Sequence, residues 1–107
     1  MNDLKQMLLA KIGEGVGQFG FDTRALAQSF SRKFGGGRSV LHVSFIKHAT
    51  DFHVTADVAI RFDAVEKLVN DSNKLLSEKE KQQTFTLGAE LGALKGKPQL
   101  RWVIQAF

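Results

Sequence analysis

Cysteine is absent from the 107-residue sequence, which excludes disulfides, thiolate metal sites and a cysteine nucleophile. Tyrosine is absent too, and one Trp stands against nine Phe, so the aromatic residues serve packing and bring few hydroxyls to a site. Proline occurs once. No apolar run approaches the roughly 18 residues that a membrane span requires. The first stretch, MNDLKQMLLAKIGEG, carries Asp3 early and lysines within its apolar part. It reads as a mature helix and lacks the form of a secretory signal. Together these absences lead us to expect a cytoplasmic protein.

Charge of one sign is also in short supply. Fifteen Lys and Arg against eleven Asp and Glu leave +4. That aids a weak encounter with an anionic partner, yet it is also an ordinary solubility charge. The basic clustering of specialised nucleic-acid binders is missing. Hydrophobic residues make up 43%, enough for a core, and the length suits one domain.

The stretch Asp51–Phe62, DFHVTADVAIRF, organises the chain. Phe52, Val54, Ala56, Val58, Ile60 and Phe62 fall on one side of a period of two. Asp51, His53, Thr55, Asp57, Ala59 and Arg61 fall on the other. Such alternation predicts a long strand with one buried face. Before it, SVLHVSFIKH (39–48) predicts a strand with Leu41, Val43 and Phe45 on one face, and Ala49–Thr50 closes a tight turn between the two. That register sets Phe45 opposite Val54, Val43 opposite Ala56 and Leu41 opposite Val58.

Elsewhere, Leu4, Leu8, Ile12, Val16 and Phe19 predict an amphipathic helix over 2–19, with Gly20 as its stop. Its glycines, GEGVG, lack the strand–loop–helix setting of a phosphate loop. They read as a weakened helix end or a close approach to the sheet. Residues 25–34 predict a strand with Leu26, Phe30 and Phe34 on one face, and the Gly35–Gly37 run a hairpin connection. Asp63 and Glu66 form a capping-box pattern opening a helix over 63–70, with Val65, Leu68 and Val69 as its buried stripe. Asn70–Asn73 breaks it. Ser77 and Glu80 repeat the capping pattern before a short charged helix. Residues 84–94 alternate as a strand, 95–98 turn, and QLRWVIQAF (99–107) is a last strand with Leu100, Trp102, Ile104 and Ala106 on one face.

The expected order is α-β-β-β-α-β-β. It describes a two-layer α+β domain over 1–107, with a mainly antiparallel sheet of about five strands and helices on one face. The domain is either free-standing or one piece of a longer chain.

The hairpin register gathers the histidines. It puts His48 beside Asp51, Ile46 beside His53, and His42 beside Asp57, all on one sheet surface. Imidazole and carboxylate together suit proton transfer or a metal. His42 and His48 lie about 20 Å apart along one strand and cannot share an ion. His48, His53 and Asp51 are closer but sit at an exposed turn. The reading adopted for this face is a polar surface facing water, with no catalytic group, metal or cofactor expected. A second candidate is the glycine-rich hairpin end, where Arg32, Lys33 and Arg38 flank backbone amides able to hold an anion or nucleic acid. The outer sheet face, with Val40, Ile46, Ala59, Val103 and Phe107, offers a surface to a partner protein.

Gly20–Phe21 after the first helix, Phe30-Ser31-Arg32, VLHVSFIKH and DFHVTADVAI resemble small uncharacterised bacterial α+β domains, some of them grouped with toxin–immunity proteins. The resemblance covers residues 20–62. It implies a bacterial cytoplasmic protein without assigned catalytic residues. The function expected is therefore a non-catalytic interaction module that binds another protein or itself. Anion or nucleic-acid binding at the basic hairpin end is the alternative, and a His/Asp enzyme the third.

Overall fold

The computed structural model describes residues 2–71, 73, 75–94, 96 and 101–105. Helix α1 (Asn2–Gly17) is followed by strands β1 (Ser29–Phe34), β2 (Gly37–Lys47) and β3 (Asp51–Phe62). Helices α2 (Asp63–Asn70) and α3 (Glu78–Lys81), strand β4 (Leu87–Glu90), the single turn α4 (Leu91–Leu94) and strand β5 (Trp102–Gln105) complete the order. The class is α+β with a five-stranded antiparallel sheet, as expected.

β3 is the axis of that sheet. β2 pairs along one edge over eleven residues, with Phe45 opposite Val54, Val43 opposite Ala56 and Leu41 opposite Val58. Two short strands share the other edge end to end: β5 pairs Asp51–Val54, and β4 pairs Asp57–Ile60. The core is Phe30, Val43, Phe52 and Val54, with Leu4, Leu8, Leu9, Ile12 and Val16 of α1 laid against it. Each such apolar side chain, fully buried, stabilises by about 1.5–3 kcal/mol. Gly13 of α1 is where the helix backbone comes closest to its surroundings. A Cβ there would run into the Thr23 carbonyl, whereas one at Gly15 would meet open space. Gly20, with φ +87°, takes the chain out of the helix.

Several elements depart from the sequence pattern. β1 starts at Ser29, because Leu26 and Ser29 bond each other's backbones in both directions around Ala27 and Gln28. Both central residues have positive φ, +50° and +66°, a type I′ geometry that normally selects Asn and Gly. Leu26 is consequently exposed and not on a buried face. The alternation over 84–94 yields only four residues of strand before the chain winds into α4. Of the last strand, Trp102–Gln105 is paired; 99, 100, 106 and 107 lie outside the described residues.

The largest departure is α2. Its helix is present over the expected residues, but its apolar stripe faces solvent: Leu68 is 80% exposed and Val69 60%, while Glu66 and Asn70 are buried. Asp63 supplies no side-chain cap; Phe62 occupies that position. The cause is Arg61, 4% exposed near the end of β3. A buried guanidinium needs acceptors for its fixed fork of donors. Arg61 donates to Asp63 Oδ1 (2.7 Å), to the Lys81 carbonyl (2.8 Å) and to the Thr84 carbonyl (2.9 Å) and hydroxyl (3.2 Å). The Lys81 carbonyl closes α3, so it is one of the carbonyls a helix leaves without an internal partner. Asn70 Nδ2 donates to Thr84 Oγ1 at 2.7 Å, and Thr86 Oγ1 donates to Glu66 Oε2 at 3.0 Å. The polar side of α2 is thus stitched to 81–86, which turns the stripe outward. Ser77, by contrast, caps α3 as expected, with Glu80 N–H donating to its hydroxyl and its own N–H donating to the Glu80 carboxylate.

Among the described residues no helix is long and apolar enough to cross a membrane.

Candidate functional site

The apolar side of the sheet is longer than the helix that covers it. α1 lies over Phe30, Val43, Phe52 and Val54. Beyond it, the same side carries Val58, Ile60 and Phe62 of β3 and Leu87 and Ala89 of β4, paired as Val58–Ala89 and Ile60–Leu87. Among the described residues this part of the face stays largely open: Leu87 is 64% exposed, and Ile60, Phe62 and Leu94 are open as well. Two apolar hollows result. One of about 390 Å³ lies between α1 and the sheet, lined by Leu8, Ile12, Val54, Leu91, Trp102 and Ile104. The other, about 510 Å³, is lined by Phe21, Val58, Ile60, Leu87, Ala89 and Leu94. With the outward stripe of α2, the molecule shows an uncovered sheet face and an uncovered helix face.

Sequence alternation identified which side of each strand is apolar. It gave no signal that half of that side would stay open. The outer-face residues named from the sequence, Val40, Ile46 and Ala59, are only half-buried, and Val103 is exposed. Phe107 lies outside the described residues.

The polar candidates are placed as follows. His48 N–H donates to the Asp51 carbonyl at 2.9 Å across the β2–β3 turn. One ligand atom from each of His48, Asp51 and His53 lies within 4.8 Å of the others. The two imidazole centroids are 4.4 Å apart, and His53 Nε2 is 3.8 Å from Asp51 Oδ1. His42 is opposite Asp57, as the register requires, and its other neighbour is Ser29, whose hydroxyl is 2.6 Å from His42 Nδ1. Glu90 lies opposite Asp57 from β4, so Ser29, His42, Asp57 and Glu90 form one row across four strands. Neither Ser29 nor Glu90 was found from the sequence; the β1–β2 pairing that brings Ser29 in follows from a two-residue Gly35–Gly36 link. A serine on regular strand makes a poor nucleophile, because the backbone amides that would stabilise an oxyanion are occupied in the ladder. The Ser29 amide is bonded to Leu26.

The basic hairpin end is largely committed to the protein. Arg32 donates to the Phe19 carbonyl at 3.0 Å and lies over the Phe21 ring. Arg38 donates to the Gln82 carbonyl at 3.0 Å and lies over Phe85. Lys33 stands exposed opposite Arg38. The Gly36 carbonyl at the tip accepts from the Asp63 amide, tying the hairpin to the start of α2.

No protein-family model, curated protein or solved structure matches this chain.

Proposed function

We propose that the chain is a non-catalytic protein-interaction module whose partner is a second copy of itself. The observation that carries the reading is the open half of the apolar sheet face. It is supported by area: the chain exposes 7579 Å², about 1,600 Å² more than the roughly 5,950 Å² of a folded monomer of 11.9 kDa. Its radius of gyration, 15.8 Å, likewise exceeds the about 13 Å of a compact chain this long. A standard interface removes about 800 Å² from each partner, so the surplus is ample.

A second copy is favoured because the two uncovered surfaces are of matching kinds. Among the described residues the sheet face is open at Ile60 and Leu87, and the apolar stripe of α2 faces solvent at Leu68 and Val69. Under a two-fold axis the stripe of one chain seats on the sheet of the other and the reverse, so both vacancies are filled at once. Interfaces of this kind are apolar at the centre with a polar rim.

Sedimentation equilibrium tests it. The expected mass is twice the 11.9 kDa chain mass and insensitive to salt. Leu68→Glu and Leu87→Glu, on the two matched surfaces, each return the chain to monomer with unchanged circular dichroism. A wild-type monomer at the highest soluble concentration overturns the reading.

A further inference from the structure

We propose that His48, Asp51 and His53 form a binding site for a divalent transition-metal ion of the zinc type. The proposal is independent of self-association. It starts from the turn. β2 and β3 are locked by eleven cross-strand pairs, the last being Lys47 opposite Phe52. The His48 amide bond to the Asp51 carbonyl closes the remaining link. Asp51 and His53 are two residues apart on one strand, so their side chains share a face. His48 approaches that face from the first residue of the turn. The backbone that presents the three donors is therefore pre-ordered, and only side-chain rotation remains.

The donor set decides the kind of ion. Two imidazoles and one carboxylate are borderline ligands that suit zinc, nickel or copper, whereas calcium and magnesium take oxygen donors almost throughout. A tetrahedral zinc with bonds of 2.0–2.1 Å holds its donors about 3.3 Å apart. In this chain the His53 Nε2 to Asp51 Oδ1 separation is 3.8 Å, and all three donor atoms fall within 4.8 Å. The closure needed is up to about 1.5 Å, within reach of rotamer adjustment for side chains at a partly open turn. His53 and Asp51 are about three-quarters buried and His48 exposed, so two ligands are held and the third closes from solvent. Three protein ligands leave a fourth position for water.

The neighbours set the strength. Arg101 Nη1 lies 3.5 Å from His53 Nδ1, the ring nitrogen away from the Asp51 contact. A metal on Nε2 requires Nδ1 to carry the proton, so the guanidinium must move aside on binding. The structure thus points to a site of moderate affinity, weaker than a closed structural zinc centre.

Isothermal titration of zinc chloride into the tag-free, chelator-stripped full chain at pH 7.5 tests the proposal. One saturable ion per chain with a micromolar Kd is expected. His48→Ala, His53→Ala and Asp51→Asn each weaken binding at least tenfold, and His42→Ala, on the same sheet face but bonded to Ser29, leaves it unchanged. In ¹⁵N spectra, zinc should shift the amides of 47–53 first, a readout that also serves if one variant folds poorly. Absence of saturable binding at millimolar zinc overturns the proposal. So does equal loss in His42→Ala, or retained binding in the triple variant.

Discussion

The inverted α2 helix lends itself to a reciprocal test by two substitutions, Arg61→Met and Leu68→Asp. Arg61 is 4% exposed and donates to two carbonyls, Lys81 and Thr84, as well as to Asp63. Its ion pair with Asp63 counts for little, since that carboxylate is 58% exposed and solvent screens it to about 0–1 kcal/mol. The carbonyls count for more. Each loses a charged donor in a shielded place, at about 1–3 kcal/mol apiece. The methionine stem recovers part through apolar burial. The net expectation for Arg61→Met is a loss of about 3 kcal/mol, a large share of the 5–15 kcal/mol that holds a domain. Leu68, 80% exposed, has little packing to lose, so Leu68→Asp stays within about 0.5 kcal/mol in the monomer. Urea unfolding of dilute protein, followed by circular dichroism, measures both; dilution separates the fold from self-association, which Leu68→Asp weakens. If the apolar stripe packed inward instead, the two results would exchange: the leucine variant would lose about 2–5 kcal/mol as core truncations do, and the arginine variant almost nothing. That exchange would refute the account of α2 and remove half of the argument for the dimer.

Two further tests address α1 and α3. Gly13→Ala places a methyl against the Thr23 carbonyl and costs about 1–3 kcal/mol, whereas Gly15→Ala, two residues on and facing open space, stabilises by up to about 1 kcal/mol; thermal melts of both variants distinguish close packing from simple helix weakening. The Glu80 carboxyl is held below its ordinary value of 4.5 by the backbone and hydroxyl of Ser77. A depressed folded-state value means the cap's contribution is present above the ordinary value and is lost as pH falls through the lowered one. Side-chain ¹³C titration should therefore find Glu80 low in the native chain and only partly raised in Ser77→Ala, which removes the hydroxyl but keeps the backbone N–H donor, with α3 fraying only in acid.

The β2–β3 hairpin was legible because two constraints coincide there. A tight turn at Ala49–Thr50 sets the pairing, and a slip of one residue would move Val43 and Val54 to the wrong face. His48, Asp51 and His53 come together by the same logic, so the polar cluster is legible in the sequence. The direction of α2 was not. Periodicity shows that Val65, Leu68 and Val69 share a side, but a helix has no preferred side until its neighbours are known. Those neighbours, the Lys81 carbonyl and the Thr84 and Thr86 hydroxyls, lie 11 to 20 residues along the chain from the α2 side chains they meet, and no local periodicity announces so distant a pairing. The open half of the sheet was hidden for a related reason: alternation identifies an apolar face without saying how far α1 extends over it. Leu26 failed locally, since Ala27 and Gln28 carry none of the Asn-Gly signature that usually announces their turn.

The shared edge of β3 bears on how the chain reaches this state. β2 and β3 are adjacent in sequence and close through a link of three residues, so their ladder costs little loop entropy and can form in microseconds. β4 and β5 return only after much longer excursions, and each addresses its own half of the same edge, Asp57–Ile60 and Asp51–Val54. The hairpin therefore acts as a template read by two later arrivals that never compete for the same amides. Assembly becomes one fast zippering followed by two separable dockings, and the C-terminal strand can leave its berth beside His53 while β4 stays in place.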